Sequence, residues 1–216
     1  VCGTEIDKSL LREIPNGTME QNENTKIIDL IAQGISQREH GEFKMAEKSF
    51  KEAIVIGPVS ESPYYQLAHL YNTLGDFDNA IVMYTKAVEM KPDHVDSYFE
   101  LGWSYSYKHQ YELAGKMYKK VICIQPSYDL AYFLLGQTYI KQQHYQQAEE
   151  FLLDSIKNMP PGYISKYIPH LYDLLALVYA KKNKQRLADK YSQKATDTRL
   201  DYYETDTRDN YRKLNE

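Results

Sequence analysis

The residues able to do chemistry are few and poorly placed to act together. The six histidines, His40, His69, His94, His109, His144 and His170, never stand three or four residues from one another, and none belongs to an H-E-x-x-H arrangement. No pair can therefore face one metal from a single helix turn. The glycines fall at spaced positions along the chain and build no phosphate-cradling loop. No Ser or Cys sits in a motif that would set a nucleophile beside a base. Cys2 and Cys123 are too few and too far apart for a disulfide framework, and Cys123 reads as a free thiol. Asn16-Gly17-Thr18 has the form of a glycosylation sequon, a frequent chance match. The expectation is a chain that is not an enzyme, with no catalytic, cofactor or metal site and no small-molecule substrate.

Charge points away from nucleic acid as well. The net charge is −4, and residues 181–216 hold ten Lys and Arg against seven Asp and Glu, a local +3 that leaves −7 for residues 1–180. The tail charges alternate in sign, the pattern of a solvated helix face. No run of about 18 apolar residues spans a membrane. The aromatic composition is lopsided, with 21 tyrosines against six phenylalanines and one tryptophan. A ring with a polar tip is used again and again.

What positions these rings is an internal repeat of 34 residues. Pro58, Pro92, Pro126 and Pro160 keep that interval, as do Ala46, Ala80, Ala114 and Ala148. So do Gly34, Ala68, Gly102 and Gly136, and Tyr71, Tyr105 and Tyr139. These sets fix copies at 27–60, 61–94, 95–128 and 129–162. Tyr172, Leu175, Ala176, Tyr179, Ala188 and Ala195 recover the pattern in a fifth copy at 169–202, displaced by six residues around Pro161–Lys166.

Within a copy, positions 4, 7, 8 and 11 make an i, i+3, i+4, i+7 stripe, one apolar helix face, and positions 20, 24 and 27 make a second. Small residues at 8 and 20 let two backbones approach. Gly41, Gly75 and Asn183 at position 15 suit the left-handed end of a first helix. Proline at 32 terminates the second helix. Each copy is thus a helical hairpin that must stack on a neighbour to bury its faces. The first copy departs from the pattern with Gln33 and Gln37 at positions 7 and 11, as expected of an edge, and the fourth with Leu152 and Ser155 at 24 and 27.

This pattern resembles the tetratricopeptide repeat. The resemblance implies an all-α chain: a right-handed superhelical α-solenoid of five helix-turn-helix repeats over 27–202. A polar, flexible segment, 1–26, precedes the array, and a C-terminal capping helix, 203–216, follows it. Leu200, Tyr203, Tyr211 and Leu214 stand at near-helical spacing and are expected to close the last repeat.

In this family, by resemblance, positions 2, 5, 9, 12 and 13 of the first helices line a concave groove that takes peptides or partner helices. An amphipathic helix should be polar there. Instead the second copy offers Tyr65 and His69, the third Phe99, Trp103 and Tyr107, and the fourth Phe133, Gln137 and Ile140. An aromatic at position 5 also packs on the adjacent first helix, which accounts for Tyr65, Phe99 and Phe133 without a partner. Trp103 and Tyr107 on one helix are not accounted for in that way. The carboxylate clamp of chaperone-binding members is absent, since the third copy has Asp96, Phe99, Glu100 and Trp103 where lysine, asparagine and arginine are needed. The asparagine ladder at position 6 is absent too, the residues being Ala32, Gln66, Glu100, Leu134 and Leu174.

The leading reading is an adaptor or scaffold that holds a protein or peptide in an aromatic groove. The alternatives are a chaperone or escort for a secreted or aggregation-prone client, and an envelope lipoprotein that assists surface assembly. The last depends on Cys2-Gly3 and the polar stretch after it, which resemble a mature bacterial lipoprotein. Membrane anchoring would follow only from acylation of Cys2. A cytoplasmic location is the favoured expectation, the bacterial envelope the alternative, and self-association stays open.

Overall fold

A computed structural model describes residues 16–57, 60–158 and 166–213, with side chains at 22–57, 60–158, 166–200 and 202. Ten helices and no strand occur among the described residues. They pair as α1 (Asn16–Glu39) with α2 (Phe43–Ile56), α3 (Ser62–Thr73) with α4 (Phe77–Met90), and α5 (Val95–Tyr107) with α6 (Tyr111–Ile124). The remaining pairs are α7 (Asp129–Lys141) with α8 (Tyr145–Lys157) and α9 (Ile168–Lys181) with α10 (Gln185–Lys213). No described helix is long and apolar enough to cross a membrane.

The turn inside each pair is the same object five times. Gly41, Gly75, His109, Gln143 and Asn183, all at position 15, have φ between 55° and 77°. The next amide in each case donates to the carbonyl five residues back, as in Asp76 N to Tyr71 O (2.9 Å) and Gln110 N to Tyr105 O (2.9 Å). This is the Schellman closure, which satisfies carbonyls at the end of the first helix. His109 and Gln143 adopt the left-handed conformation with a β-carbon present, so the closure and packing hold them there against their own preference.

The expected stripes form the core. Position 24 carries Phe50, Tyr84, Tyr118 and Leu152, all fully buried. Each faces the small residue at position 8 of its own pair. A β-carbon on Gly34 would stand 2.5 Å from the Phe50 ring, one on Gly102 2.8 Å from Tyr118, and one on Gly136 2.7 Å from Leu152. The hairpin closes only because that position is small.

Positions 3 and 10 are buried as well, a face the stripe reading omitted. Pro63, Ser97, Ala131 and Leu171 at position 3, and Leu70, Ser104, Thr138 and Val178 at position 10, pack against the preceding repeat. The first copy has no preceding repeat, and there Asp29 and Ser36 are exposed. Gln37 is buried, and its amide oxygen accepts from Ser49 Oγ (2.8 Å), so the departure at position 11 is satisfied internally.

Two of the position 11 tyrosines have a structural reason. Tyr71 OH donates to Glu47 (2.9 Å) and Tyr179 OH to Glu149 (3.0 Å), in each case from position 11 to position 21 of the preceding copy. The ring fills the seam between repeats and the hydroxyl latches across it.

Two boundaries differ from the sequence expectation. The first helix begins at Asn16, inside the stretch assigned to the polar segment 1–26. At the other end no separate capping helix begins at 203, because α10 runs unbroken to Lys213. Position 32 of the fifth copy is Leu200 and not proline, so nothing stops the helix. Leu200 itself is 60% exposed. The expected closing face at Tyr203, Tyr211 and Leu214 lies outside the described side chains.

Candidate functional site

The first helices also touch one another, α1 with α3, α3 with α5 and α7 with α9, whereas among the described residues no two second helices are closely packed. The layer of first helices is therefore the inner side of the array. The side chains of α3, α5 and α7 that point away from the second helices line that side.

The aromatics at position 5 are taken up by the seams between repeats. Tyr65 meets His94 edge-on at 5.2 Å between ring centroids and Tyr84 at 5.8 Å. Burial, with Glu100 and then Asp96 adding to it, pushes the Tyr65 hydroxyl up to about 12. Phe99 lies 5.1 Å from Tyr128 and 6.1 Å from Tyr118. Phe133 lies 5.6 Å from His170 and 6.5 Å from Tyr167. Ile140 packs with Phe133 against the core around Leu152 and Leu171.

Trp103 and Tyr107 behave differently. They pack on each other at 4.3 Å, and Phe77 from α4 joins them, 4.7 Å from Tyr107 in a stacked arrangement and 6.1 Å from Trp103. Trp103 is half-buried and Tyr107 is 55% exposed. Neither belongs to any of the three apolar core clusters. Beside them, between α5 and α7, lies a cavity of about 310 Å³ lined by Trp103, Tyr107, Tyr118, Leu134, Gln137 and Lys141, among others. The structure thus brings Trp103, Tyr107 and Gln137 to one opening. It places Phe133 and Ile140 further along, in the packing of the last repeats.

His69 is half-buried on α3, and its Nδ1 accepts from Arg38 Nη1 (3.2 Å). Burial, then the Arg38 charge, holds the imidazole below its usual range, which favours its neutral form. Arg38 also donates to Gln66 Oε1 (2.9 Å). One repeat on, Asn72 Nδ2 reaches Glu100 Oε2 and Tyr84 OH at 3.4 Å each, and Ser104 Oγ donates to Asn72 Oδ1 (2.9 Å). Arg38 with Gln66, and Asn72 with Glu100, join position 12 of one copy to position 6 of the next. Sequence reasoning missed this polar floor and the contribution of Phe77. The recurrence of polar residues 28 apart, 38 with 66 and 72 with 100, was the available signal.

Among the described residues no three His, Cys, Asp or Glu side chains group closely enough to hold a metal. Sequence models of the tetratricopeptide repeat match residues 62–94, which is the second copy, and 83–116 and 107–161, which run across the second to fourth copies. The chain is a tetratricopeptide-repeat protein. No curated protein sequence matches it significantly.

Among solved structures, a crystal structure of MamA is similar over 79% of this chain and 96% of its own, at 23% identity and a TM-score of 0.68. MamA of Desulfovibrio magneticus RS-1 is similar over 82% and 96%, at 20% identity and 0.68. PilF of Pseudomonas aeruginosa is similar over 84% and 78%, at 17% identity and 0.61. At these identities the likeness shows a shared solenoid fold. In tetratricopeptide-repeat terms, Trp103 stands at position 9 of its copy, and the cavity lies between the third and fourth copies.

Proposed function

We propose that this tetratricopeptide-repeat chain is a non-catalytic scaffold that holds a peptide or partner segment in its inner groove, with Trp103 and Tyr107 as anchors. One observation carries the reading. Two adjacent large rings stand outside every core cluster and line a cavity, although burying them in the solenoid would have removed more apolar surface from water. The tetratricopeptide-repeat family supports it, because its first helices line the face that takes partners.

Tyr107→Asp tests the reading. The side chain is mostly exposed, so the charge is solvated and the fold is retained, but a desolvated partner could no longer cover it. Co-purification from the native host should lose its bound protein with Tyr107→Asp and keep it with Val82→Asp, a control on an exposed site of a second helix. Equal retention by both variants would place the partner elsewhere.

A further inference from the structure

The groove carries two parallel ridges of opposite character on one helix. Phe99, Trp103 and Tyr107 follow one another at i, i+4 and i+8 on α5, and Asp96 and Glu100 form the adjoining i, i+4 row. Glu100 is only partly exposed, yet no ion pair among the described residues includes it or Asp96. Among the described residues its one side-chain hydrogen bond is the 3.4 Å contact from the neutral amide of Asn72. The nearby groove cation, Arg38, is held by Gln66 and His69 one repeat away. A carboxylate in this position lacks the partner that buried charges ordinarily have.

Resting on the groove reading above, we infer that the occupant is a basic segment, one whose Lys or Arg side chain meets Glu100 and Asp96 while a neighbouring apolar or aromatic side chain enters the cavity beside Trp103. The opposite chemistry, an acidic or carboxylate-terminated segment, would meet like charge here.

The cost to the fold supports the inference. Burial pushes the Glu100 carboxyl above its usual range; the Asn72 hydrogen bond opposes the shift and Asp96 adds to it. An acid whose folded-state pKa is raised destabilises the fold increasingly as pH climbs from the ordinary carboxylate range through the raised value. Burial is what chiefly raises the Tyr65, Tyr84 and Tyr128 hydroxyls, and the Glu100 charge adds to it in each, at Tyr128 after Asp96, while Arg38 acts in the opposite sense on Tyr65 and Tyr84. Glu100→Gln should therefore leave the melting temperature at neutral pH equal or higher, while removing the attraction for a cation. A residue with a purely structural role would show the reverse.

Selection from phage-displayed random dodecapeptides, run in parallel on the wild type and on Trp103→Ala, supplies the probe. Enriched peptides should be lost with Trp103→Ala and should carry Lys or Arg within a few residues of an aromatic or aliphatic side chain. The most enriched one, made synthetically and followed by the fluorescence of the single tryptophan, should bind Glu100→Gln about tenfold more weakly, because one member of a desolvated charge pair is gone. Enrichment that depends on Trp103 but is neutral or acidic overturns this inference and leaves the groove reading intact. So does a basic peptide whose affinity Glu100→Gln leaves unchanged. Enrichment indifferent to Trp103, or none at all, overturns both.

Discussion

Tyr118→Ala should lower the stability of the array by about 3–5 kcal/mol, the largest effect of any single truncation considered. The ring is fully buried in the cluster with Ala114 and Leu135, and it rests directly on the Gly102 backbone of the facing helix. Nothing larger than hydrogen occupies position 8 to relax into the space, so the cavity stays open. It would also merge with the hollow beside Trp103, which Tyr118 already helps to line. The ring and not the hydroxyl should matter, since Tyr118 OH has only a 3.4 Å contact with Ser106 Oγ. Tyr118→Phe should then cost about 1 kcal/mol or less. Urea titration of both variants, followed by circular dichroism, checks the separation. A Tyr118→Ala protein with an unshifted midpoint would mean that the central repeats do not depend on the position 8 to position 24 contact.

The contrast between these residues shows what the sequence carried. The period fixed which residues share a helix face, because a stacked array repeats one packing problem and solves it with one set of residue types. Position 15 illustrates how far this goes: glycine or asparagine marks three of the five turns, and His109 and Gln143 follow the same geometry with no local signal of their own. Interactions between copies were harder to read. Positions 3 and 10 hold residues as different as Pro63, Ser97 and Leu171, which share only the preceding repeat as a neighbour. The groove was legible in part for the same reason. Position 5 rings turned out to belong to the seams, as their recurrence suggested, and the unrepeated pair Trp103 and Tyr107 stands apart from the core. Phe77, at position 17, stands outside both stripes, and its stacking on Tyr107 depends on how α4 sits against α5, which no spacing along the chain encodes. The length of the last helix is the converse case: Leu200 stands where the other copies have proline, and nothing in the chain there ends α10.

Trp103→Ala should weaken the selected dodecapeptide by on the order of 2 kcal/mol or more, roughly thirtyfold, because partly exposed tryptophans that become buried on binding act as anchors. Its effect on the fold should be smaller than that of Tyr118→Ala but measurable. The ring packs on Tyr107 and Phe77, and each such aromatic pair contributes about 0.5–1.5 kcal/mol beyond its buried area. That is more support than a groove residue needs, and it has a use. Phe77 sits on the second helix of the preceding repeat, so the contact helps to hold the Trp103 ring where it lines the cavity. A pre-oriented ring loses less rotamer freedom when a partner covers it. Phe77→Leu separates the two roles, keeping an apolar side chain while removing the stack. It should leave the melting temperature within a few degrees of wild type and weaken peptide binding by less than Trp103→Ala does. Thermal melts of the three variants beside calorimetric peptide titrations decide between the accounts: if Trp103→Ala melts as early as Tyr118→Ala, the tryptophan is core and the groove loses its anchor.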